Sequence, residues 1–286
     1  MNKSTIILNQ KVVKDGDNLT EIDCYDYDTI DSTNKTAWQL HDSGTKAPFV
    51  VTAITQSAGK GQRGNEWRSP EGGLYLSLIL DLNLPIENSN QIILFSIWGI
   101  VNQLRKLAIP VQIKWLNDLV LEGDKLGGIL CETRTQKQII KQVVIGVGIN
   151  YQNSVPINGI NLQKWQTKNN HYPINSLLYF KNIIIQGLIE GYYHLINKGL
   201  NAIIKDYNLW LNSRDSLGLI DNKMLGKILG INEQGELIIQ LSSTGAKTKI
   251  NICSQDYRIS YRLLNQEYYQ IFHISNRHLQ KLGSRE

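Results

Sequence analysis

The chain has 286 residues, of which 42% are apolar and 19% charged, and its formal net charge at pH 7 is +5. This balance excludes a disordered polyelectrolyte, and the length allows either one large domain or two unequal domains. The basic residues are scattered along the chain, which argues against the clustered positive stripe of nucleic-acid-binding proteins.

The N-terminal part of the chain predicts helices and strands around one long polar loop. A capped helix is predicted over residues 29–44, where Asp31 and Ser32 can accept free N–H groups and Gly44 ends the helix. Further predicted elements are strands over residues 50–55 and 74–82 and a helix over residues 88–108. Residues 56–73 are polar and rich in glycine, so they predict a surface loop.

The middle of the chain predicts an antiparallel sheet. Four strand patterns follow one another without intervening helices, over residues 111–115, 119–121, 126–133 and 139–149. Strands joined by short turns pair antiparallel, so the pattern predicts an α+β fold with a mixed or antiparallel sheet and not a doubly wound parallel sheet. Residues 173–212 then predict helix in two pieces, broken near Lys198 and Gly199.

The C-terminal part of the chain has a different period. From about residue 216, short strand patterns alternate with glycine turns, which is typical of a small β-barrel. We therefore predict a large domain over residues 1–215 and a small barrel over residues 216–262. Residues 263–286 predict a helical tail.

The stretch 56–67 has the composition of a phosphate-binding loop. Its glycines can turn backbone N–H groups toward an anion, its cations add charge, and its tryptophan offers a surface to a base: Gly59, Gly61, Gly64, Lys60, Arg63 and Trp67. It matches neither the P-loop nor the dinucleotide fingerprint. A plain flexible connection is the alternative interpretation.

Two further segments favour close approach of a ligand to the backbone. Lys114 and Trp115 lead into a turn at Asn117 and Asp118, and Lys125 begins a strand that contains the pair Gly127-Gly128. A strand-end lysine beside glycines is suited to a carboxylate or phosphate. A second glycine strand has the letters G-V-G-I-N at residues 146–150. From these segments alone, the alternative for the first is a hairpin with a solvated lysine, and the alternative for the second is a packing bulge.

Together with Asp31-Ser32-Thr33-Asn34, these motifs have an order and spacing that resembles the biotin protein ligases. The similarity extends over roughly residues 28–262 and includes Q-x-x-G-[RK]-G-x-R-G-x-x-W, K-W-x-N-D, K-L-G-G-I-L, G-x-G-I-N and the C-terminal G-I-N-E-Q-G-E-L. It implies a class II synthetase-like catalytic domain followed by an SH3-like barrel. It also implies that ATP and Mg2+ activate biotin as biotinyl-5'-AMP, and that a lysine of the biotin carboxyl carrier protein of acetyl-CoA carboxylase then receives the biotin.

The resemblance also implies site residues. A biotin-binding set is implied at Ser32, Thr33, Asn34, Gln56, Lys60, Gly61, Gln62, Lys125 and Gly128. An ATP- and adenylate-binding set is implied at Lys60, Arg63, Trp67, Lys114, Asn117 and Asn150. Lys125, Arg63 and Asp118 are the implied catalytic residues, with Lys125 bridging the carboxylate and the α-phosphate and Asp118 beside the incoming amine. No metal site made of protein ligands is expected.

The chain departs from the usual family pattern at several positions. Lys60, Gln62 and Asn65 stand where arginines are frequent, and Leu116 stands where proline is frequent. A lysine cannot make the bidentate fork of an arginine, so Lys60 predicts weaker retention of the adenylate.

Two other functions were weighed against the biotin ligase. A lipoate or octanoate ligase or transferase has a similar fold and strand lysine, but the loop form and the Ser32/Gln56 pair favour a ureido ring. A non-enzymatic biotin sensor or DNA-binding repressor would carry a helix-turn-helix, for which the 30 residues before Asp31 are too few. We therefore expect a monofunctional ligase.

The remaining expectations concern location and assembly. Cys24, Cys131 and Cys253 are widely spaced, and the chain has neither a signal-peptide pattern nor a run of ~20 apolar residues. We therefore expect a cytoplasmic protein that contacts neither membrane nor nucleic acid and is a monomer or homodimer.

Overall fold

A computed structural model describes residues 1–8, 13–14, 17–18, 21–220, 223–241, 248–253 and 260–262. The strands are β1 (Asn2–Ile7), β2 (Val13–Lys14), β3 (Asp17–Asn18), β4 (Glu21–Ile30), β5 (Phe49–Gln56), β6 (Leu74–Pro85), β7 (Gln112–Lys114), β8 (Asp118–Leu121), β9 (Asp124–Gln136), β10 (Ile139–Ile149), β11 (Leu217–Ile220), β12 (Lys223–Ile231), β13 (Leu237–Leu241), β14 (Lys249–Ile252) and β15 (Ser260–Arg262). The helices are α1 (Thr33–Asp42), α2 (Asn90–Lys106), α3 (Leu162–Asn169), α4 (Leu177–Lys198) and α5 (Leu200–Trp210).

Eight strands form the large sheet, in the order β1-β4-β5-β6-β10-β9-β8-β7. The strands from β6 to β10 pair antiparallel, as the run of strand patterns predicted. The pair β4–β5 is parallel, and α1 connects its two strands. The predicted α+β class with a mixed sheet is therefore confirmed.

Both faces of the large sheet are covered because successive side chains of a strand point to opposite faces. On β5, Val50 joins the larger apolar cluster, which includes side chains of α2, α4 and α5. Its neighbours Phe49 and Val51 join a smaller cluster with Ala37 of α1. Helix α1 thus lies on one face and the longer helices on the other, which leaves the start of α1 beside the strand ends.

The C-terminal sheet has the strand order β14-β13-β12-β11-β15, with antiparallel neighbours. Its buried apolar residues belong to the same cluster as the core of the large sheet: Ile228, Ile231, Leu237, Ile239 and Ile252. The two sheets therefore share one apolar core.

The predicted helix over residues 29–44 is shorter than expected. Residues up to Ile30 belong to β4, and the helix begins at Thr33. The N–H of Thr33 donates to Gln56 Oε1 at 2.8 Å, so a side chain from another strand serves the helix start where Asp31 and Ser32 were expected to do so. Gly44 follows the helix with φ +101°, consistent with the predicted end.

Several elements were not predicted, and one predicted element cannot be compared with the structure. No strand was predicted where β1, β2, β3 and β4 lie. Helix α3 was not predicted either, although Asn161 caps it by accepting from the Lys164 N–H at 2.8 Å. The helical tail predicted over residues 263–286 lies outside the described residues. In the part of the chain described above, no helix has the length and apolar character needed to cross a membrane.

Candidate active site

A cleft of about 310 Å³ opens between the start of α1, the glycine-rich loop, the turn between β7 and β8, and strands β9 and β10. It is lined by fourteen of the fifteen implied site residues: Ser32, Thr33, Asn34, Gln56, Lys60, Gly61, Gln62, Arg63, Trp67, Lys114, Asn117, Asp118, Lys125 and Gly128. Leu237 of the C-terminal sheet lines it as well. Six separate segments therefore converge on one cavity.

One end of the cleft is a buried network of uncharged polar groups. Gln56 Oε1 accepts from the N–H of Thr33 at 2.8 Å and from its hydroxyl at 3.2 Å. The Ser77 hydroxyl lies 2.7 Å from Thr33 Oγ1 and 2.6 Å from Asn34 Oδ1. Among the described residues, the buried Asn34 Nδ2 has no hydrogen-bond partner. A buried donor without a partner is costly, so this end suits a ligand that brings an acceptor.

The glycine-rich loop folds back on itself above the cleft. The Gly61 N–H donates to Asn65 O at 2.7 Å, and the Trp67 N–H donates to Gly59 O at 2.9 Å. The prediction that the loop glycines turn their N–H groups toward an anion therefore does not hold for Gly61, whose N–H is used inside the loop. The anion-binding capacity of this wall rests on the side chains of Lys60 and Arg63, which are exposed.

Trp67 lies where the loop meets the sheet. Its indole Nε1 is next to Gly148 of β10, where a Cβ atom would collide with the ring. Lys125 Nζ lies 5.4 Å from the ring centroid, within cation–π range. Gly148 is therefore required for the ring position, and the ring in turn borders the ammonium group of Lys125.

The turn at residues 114–118 is held by three different parts of the chain. We call it the catalytic turn because it carries the implied catalytic residue Asp118. The Asn117 side chain donates to Ile129 O of β9 at 2.7 Å, and the Tyr207 hydroxyl of α5 donates to Leu116 O at 3.0 Å. Trp115 Nε1 donates to Gly235 O of the C-terminal sheet at 2.9 Å. Long-range bonds at three consecutive residues fix where this turn places its charged side chains.

Two lysines and one carboxylate meet at the centre of the cleft. Lys125 Nζ lies 2.7 Å from Asp118 Oδ1, and the Lys125 side chain is 43% exposed, so its ammonium remains within reach of a ligand. Lys114 is the cross-strand partner of Asp118. Burial lowers the pKa of Lys114 to about 8, while Asp118 opposes this shift and Lys125 adds to it. The cluster has more positive than negative charge, which suits the binding of anionic groups.

Asn150 is the implied site residue that the structure does not bring to the cleft. Its side chain is buried, accepts from Asn153 Nδ2 at 3.0 Å and donates to Lys125 O at 3.4 Å. Its backbone N–H donates to Leu126 O at 2.8 Å. These bonds occupy both ends of the Asn150 amide, and its expected contact with the adenylate stays a prediction.

Sequence reasoning missed three residues that build the site. Ser77 stood out only as the single polar residue in the apolar run of β6, which is a signal for a buried hydrogen bond. Tyr207 lies far along the chain and carries no local signal. Leu237 ends the quoted motif G-I-N-E-Q-G-E-L, but that motif was assigned to the barrel and not to the cleft.

The relatives of the chain agree with this geometry. Residues 27–150 match the biotin/lipoate A/B protein ligase family. The bifunctional ligase/repressor BirA of Escherichia coli is 32% identical over 222 residues, which are 74% of this chain and 67% of that protein. The biotin–[acetyl-CoA-carboxylase] ligase of Paracoccus denitrificans is 32% identical over 123 residues, 42% of this chain and 51% of that protein.

A solved structure extends the likeness to the fold. The biotin protein ligase from Aquifex aeolicus in complex with biotin and ATP superposes with a TM-score of 0.68 at 22% identity, over 84% of this chain and 99% of that chain. These three findings agree on one family. The chain belongs to the biotin protein ligases of the biotin/lipoate A/B protein ligase family.

Proposed function

We propose that this protein is an ATP-dependent ligase that converts biotin to biotinyl-5'-AMP and transfers the biotin to a lysine of the biotin carboxyl carrier protein of acetyl-CoA carboxylase. One observation carries the proposal: a single cleft joins a buried, uncharged polar end to a cationic centre bordered by a tryptophan. A molecule with a ureido ring at one end and a carboxylate at the other matches this division. The names of the relatives support the same substrates and acceptor.

The uncharged end is the proposed site of the biotin ring. Asn34 Nδ2, which is buried, is positioned to donate to the ureido carbonyl. Ser32, Thr33 and Gln56 supply hydroxyl, amide and backbone groups around it. An unpaired buried urea would be costly, so such partners select biotin over a ligand with an apolar ring.

In the first step, an oxygen of the biotin carboxylate attacks the α-phosphorus of ATP, and the bond to the bridging oxygen breaks as pyrophosphate leaves. The carboxylate and the triphosphate repel each other, so the barrier is mainly electrostatic. Lys125 and Lys114 neutralise this repulsion at the centre of the cleft, and Lys60 and Arg63 do so from the loop. Trp67 is the proposed surface for adenine.

Mg2+ is proposed to enter with the nucleotide. Mg2+ is commonly held by one or two carboxylates together with substrate phosphates. Asp118 and Glu66 line the cleft, and the described residues contain no group of three or more potential metal-ligating side chains. This donor set fits an ion carried by the triphosphate, where it would neutralise developing charge.

In the second step, the neutral amine of the carrier lysine attacks the acyl carbon, and the acyl–oxygen bond breaks to release AMP. Asp118 is the proposed group that orients this amine and accepts its proton. No enzyme nucleophile takes part, so positioning does much of the work. The loop over residues 59–67 would keep water from the mixed anhydride.

We also propose the domain division and the form of the C-terminal sheet. The five antiparallel strands between Leu217 and Arg262 support an SH3-like barrel after a catalytic domain of residues 1–215. ATP, biotin and the carrier protein are the proposed partners.

A labelling assay tests the function. Purified protein is incubated with radiolabelled biotin or lipoate, with ATP and Mg2+, and with the apo carrier domain. We expect biotin on the carrier lysine, release of AMP and pyrophosphate, and no labelling of a carrier whose target lysine is changed to arginine. Labelling by lipoate alone would assign the protein to the lipoate ligases. Biotin binding without ATP-dependent biotinyl-AMP formation would make it a sensor.

A further inference from the structure

The motif G-I-N-E-Q-G-E-L has no part in the chemistry described above. It contains the turn between β12 and β13, and we call residues 232–236 the C-terminal turn. Gly235 in this turn is buried, and its carbonyl accepts the hydrogen bond of Trp115 at 2.9 Å. The motif therefore meets the catalytic turn directly.

The C-terminal turn is braced from within by the side chain of Asn232. Asn232 Oδ1 accepts from the N–H groups of Gln234 at 3.0 Å and Glu236 at 2.9 Å. Asn232 Nδ2 donates to Glu236 Oε2 at 2.8 Å. Gly235 has φ +74°, a conformation that favours glycine. These bonds fix the direction of the Gly235 carbonyl independently of the large sheet.

Trp115 transmits this fixed position to the cleft. Trp115 lines the cleft, and so do its neighbours Lys114, Asn117 and Asp118. Leu237, the residue directly after the C-terminal turn, lines the same cavity. The carbonyl of Gly235, held in the C-terminal turn, thus sets the position of the Trp115 indole in the catalytic turn.

We propose that Asn232 and Trp115 are positioning residues for adenylate formation: Asn232 holds the Gly235 carbonyl, which holds the Trp115 indole and with it the catalytic turn. The proposal rests on the proposed function. It predicts an effect confined to the nucleotide step, because the uncharged end of the cleft is held by other bonds, those from Thr33 to Gln56 and from Ser77 to Thr33.

The first test is Trp115→Phe, which keeps an aromatic ring and removes the N–H donor. We expect the biotin Kd to stay within about twofold of wild type, and kcat for biotin-dependent pyrophosphate release to fall about tenfold, because small misplacements of catalytic groups are costly. The matched control is Asn90→Ala. It removes a bond of 2.7 Å from α2 to Gln234 O of the same turn. This bond involves neither Asn232 nor the Gly235 carbonyl, so wild-type kcat is expected.

The second test changes Asn232, which braces the C-terminal turn and does not line the cleft. Asn232→Ala should give the same pattern, with unchanged biotin Kd and lowered kcat. The double variant Asn232→Asp/Glu236→Gln keeps the acceptor oxygen and reverses the donor and acceptor of the side-chain pair. It should recover at least about half of the wild-type kcat, because the turn is braced again.

The outcomes separate this proposal from the proposed function. A wild-type protein that forms no biotinyl-AMP would overturn the function itself. With an active wild type, unchanged kcat in Trp115→Phe would overturn the positioning role, and so would a fall in biotin affinity as large as the fall in kcat. If Trp115→Phe does not fold, the Asn232 series decides, since absence of loss or of recovery there contradicts the proposal.

Discussion

At the scale of single residues, the centre of the cleft is organised by electrostatics. Asp118 is paired with Lys125 and faces Lys114 across β7 and β8. Before substrates arrive, the carboxylate shares the charge of both lysines. An arriving biotin carboxylate and α-phosphate offer Lys125 stronger negative partners, which would leave Asp118 available to the incoming amine.

Lys125→Ala is expected to remove most adenylate formation and leave the protein folded. The loss of a preorganised cation at the site of developing charge should lower kcat for pyrophosphate release by about 10²- to 10³-fold. Lys168→Ala is the control, because Lys168 is 67% exposed and paired with Glu122 outside the cleft. Wild-type pyrophosphate release by Lys125→Ala, with unchanged Tm, would remove Lys125 from the catalytic set.

The lowered pKa of Lys114 predicts that kcat/KM for ATP depends on pH. Its pKa of about 8 lies below the ordinary 10.5, so the free enzyme loses this charge as pH rises through about 8. If the charge binds phosphate, kcat/KM for ATP should fall above that pH, by up to about tenfold per pH unit. Lys114→Arg should keep kcat/KM level over the same range, since arginine stays protonated. An identical fall in both proteins would contradict the role of Lys114.

The same pKa has a consequence for stability. Between pH 8 and 10.5 the unfolded chain binds more protons at Lys114 than the folded protein does. The contribution of this residue to the free energy of unfolding therefore rises with pH over that window and is least favourable below it. Comparison of urea unfolding of wild type and Lys114→Met at pH 7 and pH 10 measures it, with the larger difference in favour of Met expected at pH 7.

At the scale of elements, β10 divides the cleft into its two ends. Gly146 and Gly148 are two residues apart, so both face the same side of the sheet. A Cβ at Gly146 would collide with Asn34, and a Cβ at Gly148 would collide with Trp67. One strand thus makes room for the proposed ring-binding amide at one position and for the proposed adenine surface at the next.

The two glycines therefore predict opposite kinetic effects. Gly146→Ala should raise KM for biotin by about tenfold or more and change KM for ATP little, because it displaces Asn34. Gly148→Ala should do the reverse, because it displaces Trp67. Each variant is the control for the other, being the same change in the same strand. Equal shifts of both constants in both variants would show that the strand acts only on overall stability.

At the scale of the whole molecule, the two sheets do not stand apart. The apolar residues of β12 and β13 belong to the same cluster as α2 and the large sheet, and Leu237 also reaches the cleft. The proposed barrel is therefore part of both the core and the site. The proposed boundary at residue 215 would mark a change of architecture within a continuous apolar core.

Deletion of residues 216–286 should abolish adenylate formation and lower Tm. It removes the carbonyl that binds Trp115, the Leu237 wall and part of the shared core. Pyrophosphate release and thermal unfolding by circular dichroism measure the two effects. Soluble truncated protein with unchanged activity and Tm would show that the C-terminal sheet contributes to neither.

Local patterns predicted much of the fold, and the resemblance to the biotin protein ligases predicted the composition of the cleft. The strands over residues 50–55, 74–82 and 139–149 and the antiparallel run followed from side-chain alternation and short turns. The parallel strand β4 was missed because its pairing with β5 joins segments separated by α1. For Asn150, the motif identified a residue but not the partners of its side-chain amide, which are Asn153 and, 25 residues away, Lys125.

The sequence by itself predicted the fold class from its strand and helix patterns and the family from the order and spacing of its motifs. The resemblance to that family then implied fourteen residues of the cleft. Only the tertiary structure decided how those residues act on one another. It paired Lys125 with Asp118, buried Lys114, connected Gln56 to the start of α1, and brought the Gly235 carbonyl to Trp115. These contacts join segments up to 120 residues apart. Their formation depends on the packing of the sheets and helices, which no local pattern specifies.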